Sequence, residues 1–342
     1  MKRLQVFGAT PSPYTQKMLS LLRYRHIPFD VHWGEAKTRI EGLGIEAPKP
    51  VLLPVILLEN EEKKLVATTD STPILRRLEN DYPGRQAIPE DPALAFINYL
   101  LEDFADEFLT KYMFHYRWHY EADADKAGTM LPLIEFSQIL SDEDHAQIKS
   151  FITQRQVERL WVVGSSDATA DLIDRSFKVF IKHFNDHLAK SRFLLGEKPS
   201  SADFGFFGQI SQLVLFDPTP RAICHELAPR VVAWVEVLQD LSGLDANINS
   251  WTKLEESPDT LKDILGVFGD MYAPLLLENA KAVAAGESEW STEVNGSTWK
   301  QKTFSYQAKC LNWIREEFNA LDNNDQQRVR SFLEGTNCSQ VL

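Results

Sequence analysis

The sequence predicts a small mixed α/β domain, then a larger all-helical domain, then a short α+β tail. Three observations predict this. Short β-type runs alternate with helical ones over the first 85 or so residues, strand signals nearly vanish after about residue 90, and a hairpin signal returns at Asn295-Gly296. At roughly 100–200 residues per domain, 342 residues suit about two domains and a small module, with expected divisions 1–85, 90–255 and 256–342.

Leu4–Phe7 reads as a strand, and Pro13–Tyr24 as a helix with Met18, Leu19, Leu21 and Leu22 on one face. Pro28–Val31 is the next strand, followed by an irregular or helical stretch. Leu52–Leu58 and Lys64–Ala67 flank the polar tip Glu59-Asn60-Glu61-Glu62 as a hairpin, and Asp70–Glu79 then opens a helix. Pro92–Tyr120 carries Phe96, Leu100, Leu101, Phe104, Phe108 and Tyr112 at three- and four-residue steps, the pattern of one long amphipathic helix. A polar loop is expected around Glu121–Gly128. Further helices are expected over Asp142–Val163, Ala168–Lys190, Ser201–Phe216, Pro229–Leu241 and Pro258–Ala285, the last bent at Pro274. In the tail, Glu289–Val294 and Ser297–Lys302 flank Asn295-Gly296, whose residues tolerate the positive φ of a type I′ turn. Phe304, Ala308, Leu311, Ile314 and Phe318 mark a helix, and a shorter one runs up to Gly335.

Composition narrows the function classes. Apolar residues make up 44% and charged residues 25%, as in folded globular proteins. The 36 Lys and Arg against 49 Asp and Glu leave a net charge of −13, which disfavours a nucleic-acid partner needing a basic, counterion-releasing face. Cys224, Cys310 and Cys338 are widely spaced and contain no CxxC pair, so neither a disulfide framework nor a cysteine zinc site is expected. No apolar run suits a secretory signal or approaches about 18 residues, so a cytoplasmic chain without a membrane partner is expected.

Three sites in the first domain carry chemistry jointly. Ser12-Pro13-Tyr14-Thr15 opens the first helix. Ser12 reads either as an ordinary N-cap or as a hydroxyl placed, among free N–H groups at the positive helix end, to hold a thiolate. Leu53-Pro54-Val55 begins an apolar strand: either an edge-strand proline, or a cis X-Pro that turns the Leu53 backbone toward a peptide-like ligand. Thr69-Asp70-Ser71-Thr72 opens the third helix, either as cap and dipole partner or as a site for an amino-acid head group. In the second case the helix end and Ser71 would take a carboxylate and Asp70 an ammonium.

In this order and spacing the three sites resemble the glutathione transferase superfamily. Gly196-Glu197-Lys198-Pro199-Ser200-Ser201-Ala202-Asp203-Phe204 also resembles its structural capping box, with Ser200 as cap and Asp203 reaching back to it. The resemblance covers roughly residues 1–250. It implies a thioredoxin-like domain followed by an all-α domain, glutathione as cosubstrate without a metal, and a homodimer. Carried over residue by residue, Ser12 would donate to the glutathione sulfur and act as the catalytic group. Tyr14, Leu53, Pro54, Asp70 and Ser71 would line the tripeptide, and Lys49, Lys37 or Arg39 would meet its glycyl carboxylate. Asp70 departs from the Glu or Gln of many members, and the tail after about residue 255 has no counterpart.

The co-substrate pocket of such proteins lies against the long helix after the first domain. Tyr112, His115 and Tyr116, within an aromatic and imidazole cluster with Met113 and His119, are the candidates to meet a hydrophobic electrophile, or to be plain core. The pairs His115/His119 and His183/His187 have i,i+4 spacing but no HExxH pattern, and a metal is not expected. The expected function is activation of the glutathione thiolate for attack on an electrophilic, mostly apolar small molecule. The alternative is a non-catalytic binding or scaffolding protein whose tail docks a partner; the tail could also cap the pocket or cover a dimer surface, with Trp290, Trp299 and Trp313 either as anchors or as the filling of a small satellite core.

Overall fold

The computed structural model describes residues 3–135, 139–245 and 250–342. Strand β1 (Leu4–Gly8) runs parallel to β2 (Phe29–Trp33) and antiparallel to β3 (Val55–Glu59), which pairs antiparallel with β4 (Leu65–Thr68). Among the described residues these form a four-stranded sheet in the order β2-β1-β3-β4. Both faces are covered, which is why β1 and β3 are nearly continuous apolar runs. Val6 and Ile56 face α1 (Pro13–Tyr24) and α3 (Ser71–Asp81), burying Met18, Leu22, Ile74 and Leu78. Phe7, Val55 and Leu57 point the other way, onto Ile40 of α2 (Ala36–Gly42). The stretch left open between the second and third strands therefore contains a helix.

The long helix is interrupted. α4 (Pro92–Phe104) passes through a π turn at Ala105–Leu109 into α5 (Thr110–His119). The expected polar loop at Glu121–Gly128 is instead the start of α6 (Glu121–Glu135), which packs on α7 (Asp142–Val157). Alternating acidic residues and alanines favour a helix start, with the acids at its positive end. Gly128 allows the close approach, because a Cβ there would stand 2.1 Å from Thr153 Oγ1. Beyond it lie α8 (Ala170–His187) and α9 (Ser201–Ser211), with a π turn at Gln212–Phe216. Next come α10 (Pro218–Leu227), unanticipated in the sequence, and α11 (Pro229–Leu238). α10 begins at a proline, which suits a first turn. Ser200 and Asp203 form reciprocal capping bonds at the start of α9, with Ser200 N–H donating to Asp203 Oδ2 at 2.8 Å.

In the tail, α12 (Asp259–Val267) runs through a π turn at Phe268–Tyr272 into α13 (Ala273–Ala285). The expected bend at Pro274 is thus a widened turn just ahead of it. Pro274 itself lies in the first turn of α13, where its missing N–H costs no bond. β5 (Glu289–Val294) and β6 (Ser297–Lys302) pair around Asn295 and Gly296, with φ of 46° and 73°. Trp290 and Trp299 are buried and join the main apolar core rather than facing solvent. α14 (Ser305–Asn319) and α15 (Asn323–Phe332) lie along α4: the Phe318 ring meets Phe96 edge-on at 5.4 Å, and Arg328 pairs with Asp91 at 2.9 Å. No helix among the described residues is long and apolar enough to cross a membrane.

Candidate functional site

Ser12 is the N-cap of α1, and its Oγ accepts from the Thr15 N–H at 3.3 Å. That bond uses a lone pair and leaves the hydroxyl proton free to donate. Both sequence-level readings of Ser12 are therefore compatible with one geometry. The loop carrying it is fastened from the helical domain. Arg117 Nη1 donates to the Pro11 carbonyl at 2.9 Å, while its Nε and Nη2 reach the two Asp217 oxygens at 2.9–3.1 Å. Nη2 also donates to Gln212 Oε1 at 3.0 Å, and both charged side chains are buried. Burial raises the Asp217 carboxyl above its ordinary value even though Arg117 opposes the shift.

The peptide bond between Leu53 and Pro54 is cis, as is that between Lys49 and Pro50. Pro54 is buried and Leu53 half-buried, just ahead of the ladder that starts where Val55 pairs with Phe7. Lys49 is exposed, 3.4 Å from Glu46 Oε1. Asp70 precedes α3 with φ 77° and makes no capping bond to it. Its carboxylate is thus not the hydrogen-bonding cap of α3. Ser71 beside it is buried.

Other candidates sit elsewhere than expected. Tyr14, offered for the tripeptide, donates its hydroxyl to the Asp106 carbonyl at 2.8 Å across the domain boundary. The π turn makes this possible, since a widened turn leaves carbonyls outside the regular ladder. Tyr112, His115 and Tyr116 are at most 1% exposed and form core, which corrects their assignment to an open electrophile pocket. Tyr112 packs on Phe108 and Phe177, Tyr116 donates to Asp174 at 2.8 Å, and His115 Nδ1 lies 2.7 Å from Ser165 Oγ. Burial, then neighbouring His119, pushes the His115 imidazole down to about 3. The physical reason is packing: Phe177 and Asp174 of α8 cover Tyr112 and Tyr116, and Ser165 just ahead of α8 meets His115.

One network escaped the sequence reading. Lys17 is fully buried and donates to Asp106 Oδ2 at 2.5 Å, Glu102 Oε1 at 2.7 Å and Thr72 Oγ1 at 3.3 Å. Ser201 Oγ donates to Glu102 Oε2 at 2.6 Å. Burial opposes the Lys17 charge, but the Asp106 and Glu102 carboxylates outweigh it and hold the ammonium above its ordinary range. Four helices, α1, α3, α4 and α9, are thereby tied together, two of them the helices that Ser12 and Asp70 precede. The available signal was a lysine on an apolar helix face and acids at i,i+4 in an apolar helix.

Cys224, Cys310 and Cys338 are free and buried, and burial pushes the Cys224 and Cys338 thiols up to about 12. Within the described residues no group of three or more His, Cys, Asp or Glu is placed to hold a metal ion.

Family models match both halves. The glutathione S-transferase N-terminal domain matches residues 6–86, and the glutathione S-transferase C-terminal domain matches residues 167–236. The chain belongs to the glutathione S-transferase superfamily. Its first domain is the superfamily's thioredoxin-like domain and its second the all-α domain, and residues 256–342 lie outside both matched segments. The chain is similar in structure to the beta-etherase LigF from Sphingobium sp. strain SYK-6, at 18% identity and TM-score 0.47 over 69% of this chain and 94% of that one. It is similar to a glutathione transferase family member from Pseudomonas fluorescens pf-5, with two glutathione bound, at 17% identity and TM-score 0.42 over 68% and 87%. It is also similar to Ure2p5 from Phanerochaete chrysosporium, cocrystallised with 1-(S-glutathionyl)-2,4-dinitrobenzene, at 14% identity and TM-score 0.41 over 70% and 89%. No curated protein matches the chain.

Proposed function

We propose that this transferase-fold protein binds glutathione along the edge of its sheet and uses Ser12 to hold the thiolate for attack on an electrophilic, mostly apolar small molecule. The observation that carries the proposal is the Ser12 hydroxyl: it stands at the start of α1 with its proton unspent, on a loop fixed by Arg117. A free thiol ionises near pH 8.5 and is mostly protonated at pH 7. One hydroxyl donor and the positive helix end both favour the charged form. The thiol proton leaves to solvent, the sulfur lone pair forms a bond to the electrophilic carbon, and any leaving group departs with the electrons of its own bond.

Leu53 would align the cysteinyl backbone, the α3 N-terminus and Ser71 would receive the γ-glutamyl carboxylate, and Asp70 its ammonium. Lys49, exposed and only loosely paired, is free to turn to the glycyl carboxylate. Steady-state kinetics of Ser12→Ala with glutathione and an aromatic halide test this. A hydrogen bond to a charged group contributes about 1.5–3 kcal/mol, so kcat/KM should fall about 10- to 100-fold. Full retention of glutathione-dependent turnover would remove Ser12 from this role.

A further inference from the structure

The tail reaches the proposed donor site at one point. Tyr306, in the first turn of α14, donates its hydroxyl to Asp70 Oδ2 at 3.0 Å. Its anchoring is independent of that bond. Asn279, 1% exposed, clamps Phe304, two residues earlier, on both sides: the Phe304 N–H donates to Asn279 Oδ1 at 2.8 Å, and Asn279 Nδ2 donates to the Phe304 carbonyl at 2.9 Å. The next residue, Gln307, donates to the Glu107 carbonyl at 3.3 Å, again at the π turn. Further along α14, Glu317 pairs with Arg76 of α3 at 3.0 Å.

The Tyr306 ring lies between Phe304 at 6.2 Å and Trp313 at 5.9 Å, and these two large rings are 40% and 38% exposed. Two partly exposed rings thus flank the tyrosine that donates to a carboxylate its own helix does not use. A carboxylate has about four lone-pair positions, and one tyrosine donor fixes its orientation while leaving others for a cation. Ring faces beside it favour a positive charge as well.

We propose that the tail completes the donor site: Tyr306 is a positioning residue that fixes Asp70 for the α-ammonium of a γ-glutamyl group, and Phe304 and Trp313 wall that subsite. This deepens the glutathione reading and rests on it. The tail then acts as a selectivity element, favouring thiols that carry a free α-amino group at that end. Burial and the nearby Glu107 and Asp70 charges hold the Tyr306 hydroxyl above its ordinary range, so it stays a donor at working pH.

Calorimetry on the full chain tests this with two probes, glutathione and glutaryl-cysteinylglycine, which differ only in the α-amino group. The wild type should prefer glutathione. Tyr306→Phe should weaken glutathione about three- to tenfold and leave the glutaryl probe within about twofold, as expected for one lost orienting hydrogen bond. Asp70→Asn should remove the preference, and adding Tyr306→Phe to it should change nothing more. Equal weakening of both probes, no effect on either, or tighter glutathione binding by Tyr306→Phe would overturn the tail's role alone. A wild type with no heat at about 10 mM glutathione would overturn the donor site itself, and this proposal with it.

Discussion

The two ends of the proposed donor groove are held by different physics. At the sulfur end, the Ser12 loop is clamped by Arg117, which donates to the Pro11 carbonyl and forms a buried ion pair with Asp217. At the γ-glutamyl end, Asp70 is held by a neutral hydroxyl from the tail, which shares the main apolar core and adds a half-exposed Arg76–Glu317 pair. Buried charges fix geometry at high cost when broken, whereas an exposed pair can be altered with little effect on the fold. On the proposed reading, the first end serves the chemistry at the thiol and the second the choice of donor.

Breaking the buried clamp should have the largest effect. Arg117→Met leaves Asp217 unpaired, and denaturant unfolding should show a loss of about 3–5 kcal/mol. Catalytic efficiency should fall with it, because the Pro11 carbonyl loses its donor.

Between the ends lies a run of acids, and pH sharpens the comparison there. Burial, aided by neighbouring acids, pushes Asp103 up to about 7 and Glu107 up to about 8. Unfolded, both titrate near pH 4, so the native state binds more protons and stability falls as pH rises toward 8. His115, pushed down to about 3, acts with the opposite sign only below its ordinary value of about 6.5. Lys111, lowered to about 8 by burial, acts above that. Melting temperature measured from about pH 6.5 to 8 should therefore decline, and Glu107→Gln should flatten the slope. A rise across that window would refute the protonation scheme.

The smallest effect belongs to the exposed dock. Glu317→Gln should cost under about 1 kcal/mol in unfolding and leave glutathione affinity within twofold or so. A large loss would mean that the tail is held chiefly by this pair, and the contrast between the two ends would fail.

Much of this fold is legible in the sequence where local chemistry decides it. Pro13–Tyr24 has a cap, a first-turn proline and one apolar face, and its observed bounds coincide with the expected ones. Asn295-Gly296 specifies its turn by backbone conformation alone. Glu121–Gly128 misled because acidic residues alternating with small ones read as a loop until α7 packs on them. Periodicity placed Tyr112, His115 and Tyr116 on a helix but could not say whether that face meets a ligand or another helix. Tyr306 was illegible for a different reason. It lies 236 residues from Asp70, and a tyrosine at the start of an amphipathic helix carries no sign of its distant acceptor.

The most direct test of the central claim is the ionisation of the bound thiol, read from thiolate absorbance at about 240 nm as pH is varied with saturating glutathione. Wild type should show a pKa at least one unit below the free value of about 8.5, and Ser12→Ala should move it back toward that value. Coincident titrations for the two proteins would contradict the account, since the hydroxyl at the start of α1 would then leave the sulfur's charge unaffected.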